Sequence, residues 1–330
     1  MRVAVIGVGG IGGPLAARLQ RSGVETAVVA RGGHLDAIRT QGLEVIAPDG
    51  RTRTPFAQVA DDLRAVAAPE IVFVCVKAHQ MPALADALIA AADTGATIVT
   101  MQNGVPFWMV ADGAAPPGID PDGRLRRSLS LDRLVGAVVH ASGAVEAPGV
   151  VRAMGRPLYP IGPVLASGRS RAAVVAELLR SAGCEAPLLD EDGIRREVWV
   201  KLAGNAALNP VSALTRATVG AIFADARLCA VIEKAMAETF AVARACGCDP
   251  HMSAAERLAM AQRTVADVQT SMLQDVLAGR ALELEPIVGA VRELGTRHGI
   301  PTPTLDVLYA LTSALERSAV RPIAAASRGF

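Results

Sequence analysis

The sequence predicts an α/β protein: a doubly wound, mostly parallel sheet with an antiparallel extension, followed by an all-helical C-terminal domain. Three observations carry that expectation. The first half of the chain alternates short β-branched runs with longer helical patterns, as βαβ units do. From residue 192 onward strand character fades and Ala- and Leu-rich helical periodicity takes over. Hydrophobic residues make up 51% of the chain but aromatics only 3%, so the core must be Ala, Val, Leu and Ile, a mixture suited to helices packed closely on a Val/Ile-rich sheet. A chain of 330 residues is long enough for two domains, placed here at 1–197 and 198–330.

In order, the alternation reads as a strand over 3–6 and a helix over 12–21, a strand over 26–29 and a helix over 34–40, a strand over 71–76 and a helix over 82–91, then a strand over 97–100. Across 136–161 the runs shorten and are broken by Gly143, Pro148-Gly149 and Gly155, as in antiparallel strands added to the same sheet. A helix over 171–181 and a last strand over 184–189 complete this part. A helix over 195–208 joins the second domain, with helices at 229–245, 254–271 and 284–298. Residues 112–125 read as a loop.

Lys plus Arg number 33 and Asp plus Glu 32, so the net charge of +1 offers no field to gather nucleic acid or anionic lipid. A small-molecule partner is the expectation. Five cysteines without framework spacing or a CxxC fit reduced thiols, and the N-terminus lacks a secretory h-region, which together predict a cytoplasmic protein. The longest charge-free stretch, 94–111, is interrupted by Gln102, Asn103, Gly104 and Pro106 and does not read as a membrane span. No His, Cys or carboxylate grouping has metal-ligand spacing, so no metal is expected. Of the histidines, His34, His251 and His298 read as surface residues, and His140 as a strand-end residue with a core or backbone role. The Ala-rich helical domain could pack on itself or on a partner, which leaves a homodimer open.

The first strand feeds into Gly7-Val8-Gly9-Gly10-Ile11-Gly12, a G-x-G-x-x-G between strand and helix. Gly7 permits the tight turn, Gly9 lets a pyrophosphate approach the backbone, and Gly12 allows close helix–sheet packing. The helix N-terminus supplies amide donors and partial positive charge. A glycine-rich turn without a ligand is the bland alternative, but the flanking strands and helix favour a Rossmann-type dinucleotide site. The second strand ends in Ala30-Arg31 where a carboxylate would hold a ribose 2′-hydroxyl. Arg31, if not simply a solvated arginine, suits the 2′-phosphate of NADP.

Lys201, Asn205 and Asn209 stand at i, i+4 and i+8, so an ammonium and two amides share one helical face spanning ~80°. Single polar residues there would be satisfied core groups. Three of them, with Gly204 open to a close neighbour and Pro210 ending the run, read as the wall of a polar pocket. In 270–285, a hydroxyl pair precedes a helical turn, Gly279 breaks it and Glu283 opens the next helix. Alone, Ser271 could be a cap and Glu283 or Glu285 a first-turn carboxylate.

Taken together, the chain resembles the ketopantoate reductase (2-dehydropantoate 2-reductase) family over nearly its whole length. The resemblance rests on the 7–12 glycine run, Val76-Lys77-Ala78-His79-Gln80, Gln102-Asn103-Gly104-Val105, the run from Glu197 to Asn205, Asn209-Pro210, Ser271-Met272-Leu273-Gln274-Asp275 and Glu283. It implies an NADPH-dependent reduction in pantothenate biosynthesis, with hydride passed to the C2 carbonyl of a 2-oxo acid. It further implies that Lys201 is the proton donor, with Glu283 contacting both ligands as the second catalytic residue. Asn205 and Asn209 would recognise polar groups of the substrate and Ser271 its carboxylate. Asn103 would lie between nicotinamide ribose and substrate, and Lys77 beside the cofactor; Gly7, Val8, Gly9, Gly10, Ile11, Gly12 and Arg31 would complete the cofactor set. The physical chemistry agrees, because a ketone oxygen that gains negative charge needs a cationic acid within reach. Pro106-Phe107-Trp108 and the 112–131 loop depart from the family's compact form. They keep open a related 2-oxo acid or β-hydroxyacid dehydrogenase, and a non-catalytic NADP-binding sensor is the alternative from another class.

Overall fold

The computed structural model describes residues 1–110, 119–263 and 268–320, which fall into two compact units, one of Met1–Glu197 and one from Val198 onward. The first opens with β1 (Arg2–Ile6), α1 (Gly12–Arg21), β2 (Glu25–Val29) and α2 (Gly32–Gln41). It continues through β3 (Leu43–Ala47), β4 (Gly50–Thr54), β5 (Gln58–Ala60), β6 (Ile71–Val74), α3 (Ala85–Asp93) and β7 (Thr97–Thr100). After the short α4 (Arg124–Ser128) come β8 (Leu134–Ala137), β9 (Ser142–Ala147), β10 (Val150–Met154), β11 (Ile161–Pro163) and α5 (Arg169–Ser181).

Seven strands form the main sheet in the order β11-β8-β7-β6-β1-β2-β5. All neighbours are parallel except β11, which runs antiparallel to β8 as the edge extension. Val3, Ala4, Val5 and Ile6 are at most 2% exposed, because helices cover both faces and every position must be apolar. The chain leaves β1 towards β2 on one side and returns to β6 on the other, so the order reverses beside β1. In sheets of this kind the crevice at the carboxyl ends of such strands is where ligands bind.

Two sequence expectations change here. The strands expected across 136–161 do not all extend one sheet: only β8 and β11 do, whereas β9 and β10 join β3 and β4 in a second sheet of order β4-β3-β10-β9. The physical reason is burial. The main-sheet strands β8 and β11 are buried throughout, while β9 is largely exposed and would leave polar surface inside the main stack. The strand expected over 184–189 is reduced to two isolated bridges, Leu158 to Glu185 and Ile161 to Leu188, since Pro187 has no N–H to give a ladder. Of the expected 112–125 loop, residues 112–118 lie outside the described residues, and α4 begins at its end. Asp120, 1% exposed, holds the start of α4 by accepting the Leu125 and Arg126 amides.

The second unit takes up α6 (Glu191–Thr215) at Val198 and adds α7 (Val219–Phe223), α8 (Ala226–Ala245), α9 (Ala254–Arg263), α10 (Ser271–Leu277), α11 (Ala290–His298) and α12 (Pro303–Val320). Pro210 does not end α6, which runs to Thr215. One missing amide is outweighed by the burial of Val211, Ser212 and Ala213. The helix expected over 254–271 is not continuous: α9 spans Ala254–Arg263, and residues 268–270 are not helical. Residues 264–267 lie outside the described residues, and α10 starts afresh after Thr270, whose hydroxyl accepts the Leu273 amide at 3.2 Å. The 284–298 helix is a π-helical turn, Glu285–Gly289, followed by α11. Among the described residues no helix is long and apolar enough to cross a membrane, and no group of three or more His, Cys, Asp or Glu could hold a metal.

Candidate active site

In the first unit, the glycine run occupies the turn between β1 and α1. Gly7 has φ +87°, and its amide donates to the Val29 carbonyl at 3.0 Å. A Cβ there would lie 2.8 Å from Val76 Cγ1 and 2.9 Å from the Val76 amide, so only glycine fits. A Cβ on Gly12 would overlap the Gly7 carbonyl and come within 2.8 Å of Cys75 Cβ, the close helix–sheet approach expected of that position. At Gly9 a Cβ would meet nothing nearer than Val145 Cγ2 at 4.0 Å, which leaves open space before the backbone. Gly10 has a requirement the spacing did not reveal: a Cβ would overlap the carbonyl of Gly143 on β9. The second sheet thus packs directly on the loop. Val8 is buried beneath it. Ile11 precedes α1 without a side-chain cap, and the first turn has no acidic residue, so the amides and positive dipole end are suited to an anion.

Around this loop, Arg31 stands exposed where β2 passes into α2, with no hydrogen bond or ion pair of its side chain among the described residues. The acid near it is already engaged: hydrogen bonds from Arg64 hold the Asp62 carboxyl down at about 2, and the Arg31 charge adds a smaller pull. Half-buried Lys77 follows β6, and its amide donates to Gln80 Oε1 at 3.2 Å. Half-buried Asn103 follows β7, before Gly104 at φ +93°. Gln102 ties that turn to β6 by donating to the Val74 carbonyl at 2.6 Å and the Val76 carbonyl at 3.3 Å. The glycine loop, Lys77 and Asn103 therefore gather at the carboxyl ends of β1, β6 and β7. Next to Asn103, Trp108 is buried and its Nε1 donates to Thr100 Oγ1 at 3.0 Å.

Two histidines differ from their expected roles. His34 is half-buried and not simply solvated: its Nε2 donates to the Val8 carbonyl at 2.8 Å, and its Nδ1 accepts the Gly149 amide at 3.0 Å. It stitches the glycine loop to the β9–β10 turn, a long-range role that no local pattern announces. The His140 side chain is half exposed and lies 3.1 Å from Glu197 Oε1.

In the second unit, α6 displays Lys201 and Asn205 half-buried and Asn209 buried, among Leu202, Ala203, Ala206 and Ala207, each at most 2% exposed. The Asn209 Nδ2 is a buried donor with no hydrogen-bond partner. Such atoms are rare and point to an acceptor that belongs there. Gly204 does admit a close neighbour: Arg257 from α9, whose Nε donates to the Val200 carbonyl at 2.8 Å. Ser271 is the exposed first residue of α10, and the capping hydroxyl is that of Thr270. Glu283 is half-buried in the connection before the π-helical turn, and does not itself open the helix. Both sides of it are anchored to α12. The Leu282 amide donates to Glu316 at 2.8 Å, and the Tyr309 hydroxyl donates to the Glu285 carboxylate. That bond pushes the phenol above its ordinary range, and the Arg292 guanidinium lies 4.2 Å over the Tyr309 ring.

Comparison with known proteins adds the following. Residues 3–165 match the family model "Ketopantoate reductase PanE/ApbA" and residues 193–316 match "Ketopantoate reductase PanE/ApbA C terminal". A 2-dehydropantoate 2-reductase from Mesorhizobium japonicum is 35% identical over 322 residues, covering 96% of this chain and 98% of its own. A PanE/ApbA family ketopantoate reductase from Ralstonia eutropha JMP134 superposes with a TM-score of 0.82 at 28% identity, covering 97% of this chain and 100% of that one. The fold is shared by D-mandelate dehydrogenase with NADH and anilino(oxo)acetate, at TM-score 0.85 and 18% identity over 97% and 99% of the two chains. A dimeric ketopantoate reductase from Staphylococcus aureus shares it too, at TM-score 0.74 and 22% identity over 97% and 100%.

Proposed function

Because the chain belongs to the ketopantoate reductase family of oxidoreductases, we propose that it reduces 2-dehydropantoate to pantoate with NADPH, as a cytoplasmic step of pantothenate biosynthesis. The observation that carries the reading is the unpartnered, buried Nδ2 of Asn209 on the face that also bears Lys201 and Asn205. An amide donor held out of water costs about 1–3 kcal/mol unless an acceptor meets it, and a substrate hydroxyl or carbonyl is such an acceptor.

The first-unit residues fit a dinucleotide. The open space at Gly9 admits a pyrophosphate to the uncapped amides of α1, and the guanidinium of Arg31 suits a 2′-phosphate. Lys77 and Asn103 would lie along the nicotinamide ribose. When bound, the reduced nicotinamide supplies the hydride. The protein's part is the proton and the orientation: the Lys201 ammonium donates to the carbonyl oxygen as negative charge gathers there. Asn205 or Asn209 holds the distal hydroxyl, Ser271 receives the carboxylate, and Glu283 contacts both ligands. No base is needed first in the reducing direction. Two-copy assembly belongs to the same proposal, since a relative of this fold is dimeric, and light scattering tests it.

The test is NADPH oxidation with a panel of 2-oxo acids that includes 2-dehydropantoate and its 4-deoxy analogue, 2-oxo-3,3-dimethylbutyrate. 2-Dehydropantoate is expected to react better, because the analogue leaves the amide donors unpaired. Equal rates would shift the reading to a reductase of another 2-oxo acid, and NADPH binding without turnover of any of them would leave a sensor.

A further inference from the structure

The second sheet does not stay in contact with α1 along the whole helix. At the glycine-loop end the two meet closely: a Cβ on Gly10 would overlap Gly143 of β9, and one on Gly13 would lie 3.1 Å from Val151 Cγ2 of β10. From Pro14 onward they part, and a groove of about 460 Å³ opens between α1, the β3–β4 hairpin, β10 and the end of α5. Its α1 wall is Pro14, Ala17, Arg18 and Arg21, at i, i+3, i+4 and i+7, a single helical face. Nine residues at 1.5 Å each place Arg21 ~13 Å along the helix from Gly12, so the basic end of the groove is remote from the uncapped amides.

The lining combines cations with apolar surface. Arg51 on β4 joins Arg18 and Arg21, while Val45, Ala47 and Ala153 line the groove from the sheet. Arg18 is half-buried and its Nη1 reaches the Gly183 carbonyl at only 3.5 Å; Arg21 has no hydrogen bond or ion pair of its side chain among the described residues. Arg51 shares one carboxylate, that of Glu44, with Arg53, and Glu146, which also feels the Arg51 charge, is held by Arg152. Within the lining, three guanidinium groups therefore stand against Asp49 of the hairpin. The dipole at the end of α1 favours two of those cations there. It does not account for the third, which arrives from β4. A concave space of ligand size, part apolar and carrying convergent guanidinium forks, matches a phosphoryl group attached to a carbon body.

We propose that this groove is a second ligand site, apart from the glycine loop, and that it takes a small organic phosphate, with the phosphoryl oxygens on Arg18, Arg21 and Arg51 and the carbon body along the apolar lining. The proposal stands independently of the reductase reading. A molecule seated there touches α1 and the second sheet at once, so it should also raise the thermal midpoint.

The experiment titrates phenyl phosphate and inorganic phosphate calorimetrically at constant ionic strength, with and without NADPH. It uses wild type, Arg21→Met, Arg51→Met, the double variant Arg18→Met/Arg21→Met and, as a control on α12, Arg317→Met. Phenyl phosphate is expected to bind wild type at one site per chain, more tightly than inorganic phosphate and without competition from NADPH. Arg21→Met or Arg51→Met should weaken it about three- to fivefold and the double variant about tenfold or more, with Arg317→Met unmoved. The thermal stabilisation by phenyl phosphate should fall in the same order. Arg21 and Arg51 are exposed, so the single variants keep the test open should the double variant not fold. Absence of saturable binding to wild type would overturn the site. Displacement by NADPH with the arginine variants unmoved would place the phosphate on the glycine loop and overturn it too. So would an equal loss in Arg317→Met, which would mean diffuse charge. Equal affinity for the two phosphates would overturn the part assigned to the carbon body.

Discussion

The two units present their candidate groups in opposite ways. In Met1–Glu197 the glycine loop would act through backbone and space: uncapped amides at α1, an opening at Gly9, and glycines pressed against Val76, Cys75 and Gly143. From Val198 onward the candidates are side chains, namely Lys201, Asn205 and Asn209 on α6, Ser271 on α10 and Glu283 before the π-helical turn. The contrast teaches where each unit is vulnerable. Adding a methyl should damage the first, whereas removing a polar tip should damage the second without unfolding it.

The sharpest test is Lys201→Ala. It is expected to lower kcat by about 100-fold or more through loss of proton donation, while the NADPH Kd from fluorescence titration stays near wild type. Cofactor affinity falling in step with kcat would break the division between the units. The complementary change is Gly10→Ala, where a methyl would overlap the Gly143 carbonyl and force the loop away from β9. A stability loss of about 1–3 kcal/mol in denaturant melts is expected, with weaker NADPH binding but nearly normal kcat at saturating cofactor. A kcat deficit that saturation does not relieve would mean that the loop also shapes the catalytic step.

Arg31→Asp asks a narrower question, since Arg31, like Lys77 and Asn103, is a first-unit candidate that would act through its side chain and not through the backbone. It should weaken NADPH by about 1–3 kcal/mol and leave NADH little changed. Equal losses for both cofactors would make Arg31 a structural residue. The smallest effect is expected from Tyr309→Phe, which removes the hydroxyl held by Glu285 beside the π-helical turn. A loss of about 0.5–1.5 kcal/mol in thermal stability and a few-fold drop in kcat would show that α12 steadies Glu283. Unchanged kcat with the same stability loss would confine Tyr309 to packing.

The same contrast decides what could be read in the sequence. The β1–α1 unit was legible because a wholly buried strand must be wholly apolar, and because glycines required by sterics keep fixed spacing. The α6 face was legible from i, i+4, i+8 arithmetic alone. Strands β3 and β4 went unread because ion pairs of Glu44 with Arg51 and Arg53 replace the apolar alternation that marks a strand, although Asp49-Gly50 was a hairpin signal. The contact of Gly10 with Gly143, the bridge made by His34 and the seat of Arg257 at Gly204 join residues 133, 115 and 53 positions apart, read from the pairs Gly10–Gly143, His34–Gly149 and Gly204–Arg257. Nothing local encodes such meetings; they exist only once the chain has folded. The roles expected of Ser271 and Glu283 likewise came from resemblance, since alone Ser271 is an ordinary residue at a helix start and Glu283 an ordinary carboxylate in a connection.

Beneath the glycine loop lies a thiol that the chemistry does not use. Cys75 Sγ sits 3.5 Å from Met101 Sδ, and burial pushes its pKa up to about 12. The thiol is half-buried and its thiolate scarce at neutral pH, so openings that lift α1 from the sheet should speed its alkylation. The protein thus contains its own clock for those openings. The rate of Cys75 modification would time the breathing of the loop, and a ligand that fastens the loop would slow it in proportion to its occupancy.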